Sequence, residues 1–172
     1  MIRPPLPDPP HRGGCLCGAA RYSYNARPLA ANACHCSDCK KLSGGSHIQM
    51  LIADSSAFAH EAGELVRWRK RAKSGREVDI VRCAVCGTRL WHEGLSAPQY
   101  VFICAGTLDD TSWFMPASHI WVEEAGEFAF TPGAICVDGQ PADRQILIDA
   151  FNRLYPIADG LCRKADSPAQ LC

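Results

Sequence analysis

The sequence predicts a mainly β fold organised around bound metal, with one helix near the C-terminal end. Three observations carry this reading. Seven of the 11 cysteines fall in three tight clusters, Cys15/Cys17, Cys34/Cys36/Cys39 and Cys83/Cys86. Short segments with strand-like alternation recur between glycine-rich turns. Only Ala142–Tyr155 shows a helical repeat, with Leu147, Phe151 and Leu154 on one stripe, Pro141 at its start and Pro156 just past its end.

The bulk numbers set bounds. A chain of 172 residues suits one domain and needs no staples merely to fold. The apolar fraction of 47% and the charged fraction of 21% are ordinary for a water-soluble globular protein. Eighteen Lys and Arg balance 18 Asp and Glu, so global charge gives no case for nucleic acid or an anionic membrane. No stretch approaches the apolar length of a membrane span. Met1-Ile2-Arg3-Pro4-Pro5 lacks the apolar core of a signal peptide. Abundant cysteines without an export signal point to reduced thiols, metal and a cytoplasmic location.

Residues 1–12 hold five of the 12 prolines and little to bury, which reads as a disordered tail. A metal-binding domain is expected over 13–132, followed by a C-terminal extension over 133–172. The domain opens at Gly13-Gly14-Cys15-Leu16-Cys17-Gly18, where glycines let the backbone fold closely around whatever the thiols hold. Arg21–Tyr24 and His47–Ile52 are strand candidates. Glu64–Arg69 and Val78–Arg82 flank Lys73-Ser74-Gly75 as a hairpin. The hairpin delivers the chain to Cys83-Ala84-Val85-Cys86-Gly87, the form of a zinc knuckle. Thr88–His92, Tyr100–Cys104 and His119–Glu123 complete the strand candidates.

Three thiols within the six residues Cys34–Cys39 cannot all pair as disulfides without severe strain. A soft divalent metal needs only sulfurs converging on one point at about 2.3 Å, and three thiolates leave a tetrahedral ion one position short. Structural zinc sites are closed, whereas catalytic ones keep an open position. Two pairings are open. The Cys-x-Cys and Cys-x-x-Cys can combine into a four-thiolate site beside a separate triplet site. Alternatively, the triplet can lend two thiols to the Cys-x-x-Cys. Spacing favours the first, because it leaves no clustered thiol unused. A fourth protein ligand to the triplet would come from His35 or, with better geometry, His47. Cys104 reads as a small buried hydrophobe, and Cys136, Cys162 and Cys172 have no neighbouring thiol at ligand spacing. Trp113 and Trp121 read as packing residues, and His119 as a neighbour of the pocket.

The motifs Gly13–Gly18 with Arg21-Tyr22, Cys34-His35-Cys36-Ser37-Asp38-Cys39-Lys40-Lys41 with Gly44-Gly45, and Cys83-Ala84-Val85-Cys86-Gly87-Thr88 resemble, in order, those of the glutathione-dependent formaldehyde-activating enzyme family, which includes centromere protein V. Ala105–Asp109 and Pro116–Ile120 resemble its later, softer signatures. The resemblance implies several small coiled β-sheets around zinc, of the β-tent type. It implies two zinc ions per chain, a structural one on Cys15, Cys17, Cys83 and Cys86 and a catalytic one on Cys34, Cys36 and Cys39. Arg82 stands where the family often has an aromatic residue.

The implied activity is that of a carbon–sulfur lyase acting on thiol–aldehyde adducts, in the family glutathione with formaldehyde. The metal's charge stabilises the thiolate form of a bound thiol. Lys40 and Lys41 adjoin the last ligand and would meet the carboxylates of glutathione, with His47 nearby. An alternative from another class is a zinc-stabilised binding module. Its support is the basic run Arg67, Arg69, Lys70, Arg71, Lys73 and Arg76 with Trp68 interleaved. The zero net charge argues against nucleic acid as the partner. The apolar stripe of the helix would cover the β core or join a second subunit in a homo-oligomer.

Overall fold

The computed structural model describes residues 5–126 and 130–156. In chain order the strands are β1 (His11–Gly14), β2 (Arg21–Tyr24), β3 (Ala30–Cys34), β4 (Ile48–Asp54), β5 (Phe58–Ala62), β6 (Leu65–Arg71), β7 (Glu77–Cys83), β8 (Arg89–Gly94), β9 (Tyr100–Cys104), β10 (Ser118–Ile120) and β11 (Ile135–Val137). Two helices join them, α1 (Ser37–Ser43) and α2 (Gln145–Leu154). The mainly β class expected from the cysteine clusters and strand patterns is the class observed. The chain forms two compact units. One runs to Leu29 and then from Gln49 to Phe114; the other comprises Ala30–Ile48 and the chain from Met115 onward.

In the first unit β1, β2 and β5 form an antiparallel three-stranded sheet. A second antiparallel array runs β4-β9-β8-β7-β6. The β6–β7 hairpin turns through Ala72–Arg76, where the Gly75 φ of 81° meets a requirement that a side chain resists. Tyr22, Phe58 and Trp91 form the aromatic centre of this unit, with ring centroids 4.9 to 5.9 Å apart. The buried Tyr22 hydroxyl is satisfied by Thr107 Oγ1 at 2.7 Å. Leu51, Ile80, Val81, Leu90 and Ile103 fill the space around them.

The second unit holds a parallel sheet in the order β11-β10-β3. Helix α2 packs on β3 and β10 and buries Leu147, Ala150, Phe151 and Leu154. Thus the apolar stripe covers this sheet. The helix begins at Gln145, three residues later than expected; its N-cap, Arg144, makes no capping side-chain bond, and Asp143 Oδ1 accepts the Gln145 N–H from just outside it. The expected strand His119–Glu123 is shorter at its far end. Trp121 takes a left-handed φ of 60° and turns the chain into a short 3-10 segment at Val122–Glu124. Helix α1 was not legible as a helix, since seven residues carry too few periods to show a stripe. Its physical signals are Asp38 in the first turn and Gly44 at φ 67° closing the end.

Candidate metal centres

Two turns build the four-thiol centre. Cys15-Leu16-Cys17-Gly18 closes with the Gly18 N–H on the Cys15 carbonyl, and Cys83–Gly87 closes with the Gly87 N–H on the Cys83 carbonyl, both at 3.0 Å. Gly18 and Gly87 both take positive φ, 79° and 73°, as this tight reversal requires. The four sulfurs converge, all within 4.8 Å of one another. Cys15 and Cys17 Sγ are 3.4 Å apart, and Cys17 and Cys83 Sγ 3.9 Å. Four sulfurs at about 2.3 Å from a tetrahedral ion lie about 3.8 Å from one another, so the residues fit such an ion. Backbone N–H groups support the sulfurs, with Ala20 donating to Cys15 Sγ at 3.2 Å and Val85 to Cys83 Sγ at 3.4 Å. Thr88 Oγ1 accepts the Leu16 N–H at 3.2 Å and lies 3.1 Å from Cys86 Sγ, which ties the two turns together. That hydroxyl holds the Cys86 thiol below its ordinary range.

The triplet is assembled differently. Cys34 ends β3, Cys36 is the N-cap of α1, and Cys39 lies in the first helical turn. A strand end running into a helix start therefore places three sulfurs on one point, all within 4.8 Å, with Cys34 and Cys36 Sγ 3.6 Å apart. Among the described residues no fourth His, Cys, Asp or Glu atom joins this cluster. The three thiols oppose one another. The neighbouring sulfurs pull Cys36 down and push Cys34 and Cys39 up, so one thiolate is favoured at the expense of the other two. A bound cation removes that conflict, because it stabilises every thiolate at once. The chemistry of this donor set fits a soft divalent metal, as the spacing does.

Histidines line the second unit beside the triplet. His35 is buried, and its N–H bonds the Ile120 carbonyl at 3.0 Å. Its Nε2 lies 2.9 Å from His119 Nδ1, and His119 Nε2 accepts the Thr131 backbone N–H at 3.1 Å. A backbone amide can only donate, so His119 Nε2 has no proton and Nδ1 carries it. His119 therefore donates to His35 Nε2, and the His35 proton resides on Nδ1. Burial pushes both rings down to about 4, which keeps them neutral. His47 Nδ1 lies 2.9 Å from Ser46 Oγ, and its ring centroid is 5.1 Å from that of His35. Lys40 Nζ donates to the Glu124 carbonyl at 2.6 Å, and Glu124 Oε2 accepts the Ser37 N–H at 2.9 Å. Lys41 is exposed. The His35–His119 pair and Glu124 were missed as partners because they meet across 84 and 87 residues of sequence. Only their residue types, not their spacing, could have flagged them.

Residues 10–124 match the profile of the glutathione-dependent formaldehyde-activating enzyme family, over two thirds of the chain. The chain belongs to that family. All seven clustered cysteines lie inside the matched region, while Thr131 and α2 lie beyond it. No curated protein matches this chain. Among solved structures, a crystal structure of a Rhodobacter sphaeroides protein is similar, at 21% identity and a TM-score of 0.46. That alignment covers 57% of this chain and 87% of the other.

The remaining cysteines divide. Cys104 is buried, and desolvation pushes its thiol up to about 11, the behaviour of an inert packing residue. Cys136 is disulfide-bonded, while the other described cysteines are free. Cys162 and Cys172 lie outside the described residues.

Proposed function

We propose that this family member is a zinc-dependent carbon–sulfur lyase acting on thiol–aldehyde adducts. Glutathione and formaldehyde, the pair in the family's description, are the expected substrates. The observation that carries the reading is the contrast between the two centres. Four sulfurs converge at Cys15, Cys17, Cys83 and Cys86, whereas three converge at Cys34, Cys36 and Cys39. The first set suits a closed structural ion, and the second leaves a position for a substrate sulfur. Zinc held by the triplet would supply the charge that keeps a substrate thiol deprotonated at neutral pH.

The chain's own residues would do the rest. In the synthetic direction a sulfur–carbon bond forms to the aldehyde carbon, and the carbonyl oxygen takes up a proton; the lyase direction reverses both. Lys41, on the last turn of α1, and Lys40 offer ammonium groups to the carboxylates of glutathione. The Lys40 bond to the Glu124 carbonyl fixes its stem and leaves further N–H donors for a substrate. His47 flanks the same unit as an adjustable polar neighbour. A small thiol and an aldehyde are the proposed partners. The described residues contain no helix long and apolar enough to cross a membrane.

The test is Cys36→Ser, with zinc per chain counted by native mass spectrometry and adduct formation followed by NMR. The expected result is two zinc ions falling to one, circular dichroism unchanged, and turnover abolished. Full turnover in the variant would refute the assignment.

A further inference from the structure

Strands β3 and β10 run parallel with Ile120 in register with Cys34, and the His35 N–H reaches the Ile120 carbonyl at 3.0 Å. The two stretches of chain therefore leave the sheet side by side. One becomes the first turn of α1, and the other becomes the 3-10 segment Val122–Glu124. A helix start leaves backbone N–H groups without partners inside the helix, and a Ser, Thr, Asp or Asn at the N-cap ordinarily takes one of them. Here the N-cap is Cys36, a member of the triplet, and its side chain makes no capping bond. Its sulfur lies 3.6 Å from Cys34 Sγ instead. Glu124 takes over the task from the neighbouring stretch, where its Oε2 accepts the Ser37 N–H at 2.9 Å.

Glu124 also grips the other end of the same turn. Its carbonyl accepts a bond from Lys40 Nζ at 2.6 Å, while the Lys40 N–H closes the turn on the Cys36 carbonyl at 3.0 Å. The two bonds to Glu124, at Ser37 and Lys40, bracket Cys39. The backbone that delivers Glu124 is strained. Trp121, at φ 60° and ψ 41°, is the one residue other than glycine with a positive φ among the described residues. A bulky side chain rarely adopts that conformation. Its carbonyl accepts the Glu124 N–H at 3.1 Å, and the Gly139 and Asp138 carbonyls accept the Trp121 and Glu123 N–H groups at 3.3 and 3.4 Å. Strain of this kind persists where the surroundings over-determine it, and it gathers at functional sites. An extended residue at 121 would continue β10 instead of turning Glu124 onto α1.

We propose that Glu124 is the positioning residue of the triplet centre, setting Cys36 and Cys39 against Cys34 through the first turn of α1. This rests on the reading of the triplet as a metal centre. The three thiols are carried by two elements, Cys34 by β3 and the other two by the start of α1. Their convergence therefore depends on the angle at which the helix leaves the strand, and Glu124 fixes that angle from outside both. The reason lies in the sequence: a cysteine at the N-cap gives its side chain to the sulfur cluster, so capping passes to a residue 87 positions away. Groups that hold metal ligands in place typically contribute about 10–100-fold to metal affinity.

The test removes the Ser37–Glu124 bond from each side and counts zinc per full chain by native mass spectrometry at rising chelator concentration. Glu124→Ala removes the acceptor. Ser37→Pro removes the donor at the first helical position, where proline is tolerated, and Cys36 at φ −60° and ψ 153° already has the extended backbone that precedes a proline. The expected result is that each variant weakens one of the two ions by about 10–100-fold and leaves the other as in the wild type. Glu124→Gln keeps an oxygen acceptor and is expected to restore most of the affinity. The ion that is retained, with circular dichroism, reports that the fold is intact. Unchanged affinity for both ions in Glu124→Ala and Ser37→Pro would overturn the proposal alone. So would equal weakening of both ions, or a Glu124→Gln variant as weak as Glu124→Ala. A wild type that holds a single ion would overturn the metal reading of the triplet and this proposal with it.

Discussion

Replacing His119 by Phe isolates one buried polar chain and gives a magnitude that can be worked through. The ring packs against His35 at a centroid distance of 5.2 Å and edge-on to Phe130 at 5.0 Å, so a phenyl ring keeps the packing. It removes both nitrogens. The Thr131 N–H loses its acceptor, and His35 Nε2 loses its donor. The buried His35 Nε2 so deprived costs about 1–3 kcal/mol and the half-buried Thr131 N–H, which water can reach, adds less, so His119→Phe is expected to cost at least about 1–3 kcal/mol at neutral pH. The pH dependence follows from the same pair. Both histidines sit at about 4 when folded, against an ordinary 6.5. Between those values the unfolded chain binds protons that the folded chain refuses, so stability falls as pH drops through that window. The loss is up to about 3 kcal/mol per histidine and stops growing below about pH 4. His119→Phe removes one of the two titrating rings, so its loss across the window is about half that of the wild type. Urea unfolding followed by circular dichroism, repeated from neutral pH down to the folded-state pKa, measures both quantities. A variant within about 1 kcal/mol of wild type at neutral pH, or one with an undiminished pH slope, would refute the reasoning.

Three further outcomes are expected. Phe151→Ala empties a fully buried site between α2 and its sheet and should cost about 3–5 kcal/mol in denaturant unfolding, with loss of helical signal from the second unit. Gly63→Ala forces a side chain onto a backbone at φ 91° and sets its Cβ 2.4 Å from the Ala19 carbonyl oxygen. It should lower the thermal midpoint through a penalty of at least about 1–3 kcal/mol. Cys83→Ser should release one metal ion and unfold the first unit, since a structural zinc is worth on the order of 10 kcal/mol in small domains. Metal counting together with circular dichroism checks this, and a folded variant that retains both ions would contradict it.

Much of the molecule was written locally. Cys-x-Cys and Cys-x-x-Cys, each followed by a glycine free to take positive φ, predispose the two turns of the four-thiol centre. The triplet needs only a strand end and one helical turn to converge, so a meeting of its three sulfurs was legible from six consecutive residues. Alternation and turn residues placed the β6–β7 hairpin and β9, and the apolar stripe placed α2 to within three residues. Cys104 and Trp113 were legible as packing residues by their composition.

What lay beyond the sequence was everything that depends on distant segments meeting. Whether the Cys-x-x-Cys took its partners from residues 15–17 or 34–39 was decided by the first unit, which gathers Cys15, Cys17, Cys83 and Cys86 across 66 residues or more. The tautomers of His35 and His119 were decided by the Thr131 amide, which meets His119 Nε2 from the segment that follows β10. Trp121 and Gly44 set where elements stop through dihedral angles that no hydrophobic period records. The two levels differ for a physical reason. Period and spacing express what one segment prefers alone, whereas proton positions, ligand pairings and open edges exist only once separate segments have packed.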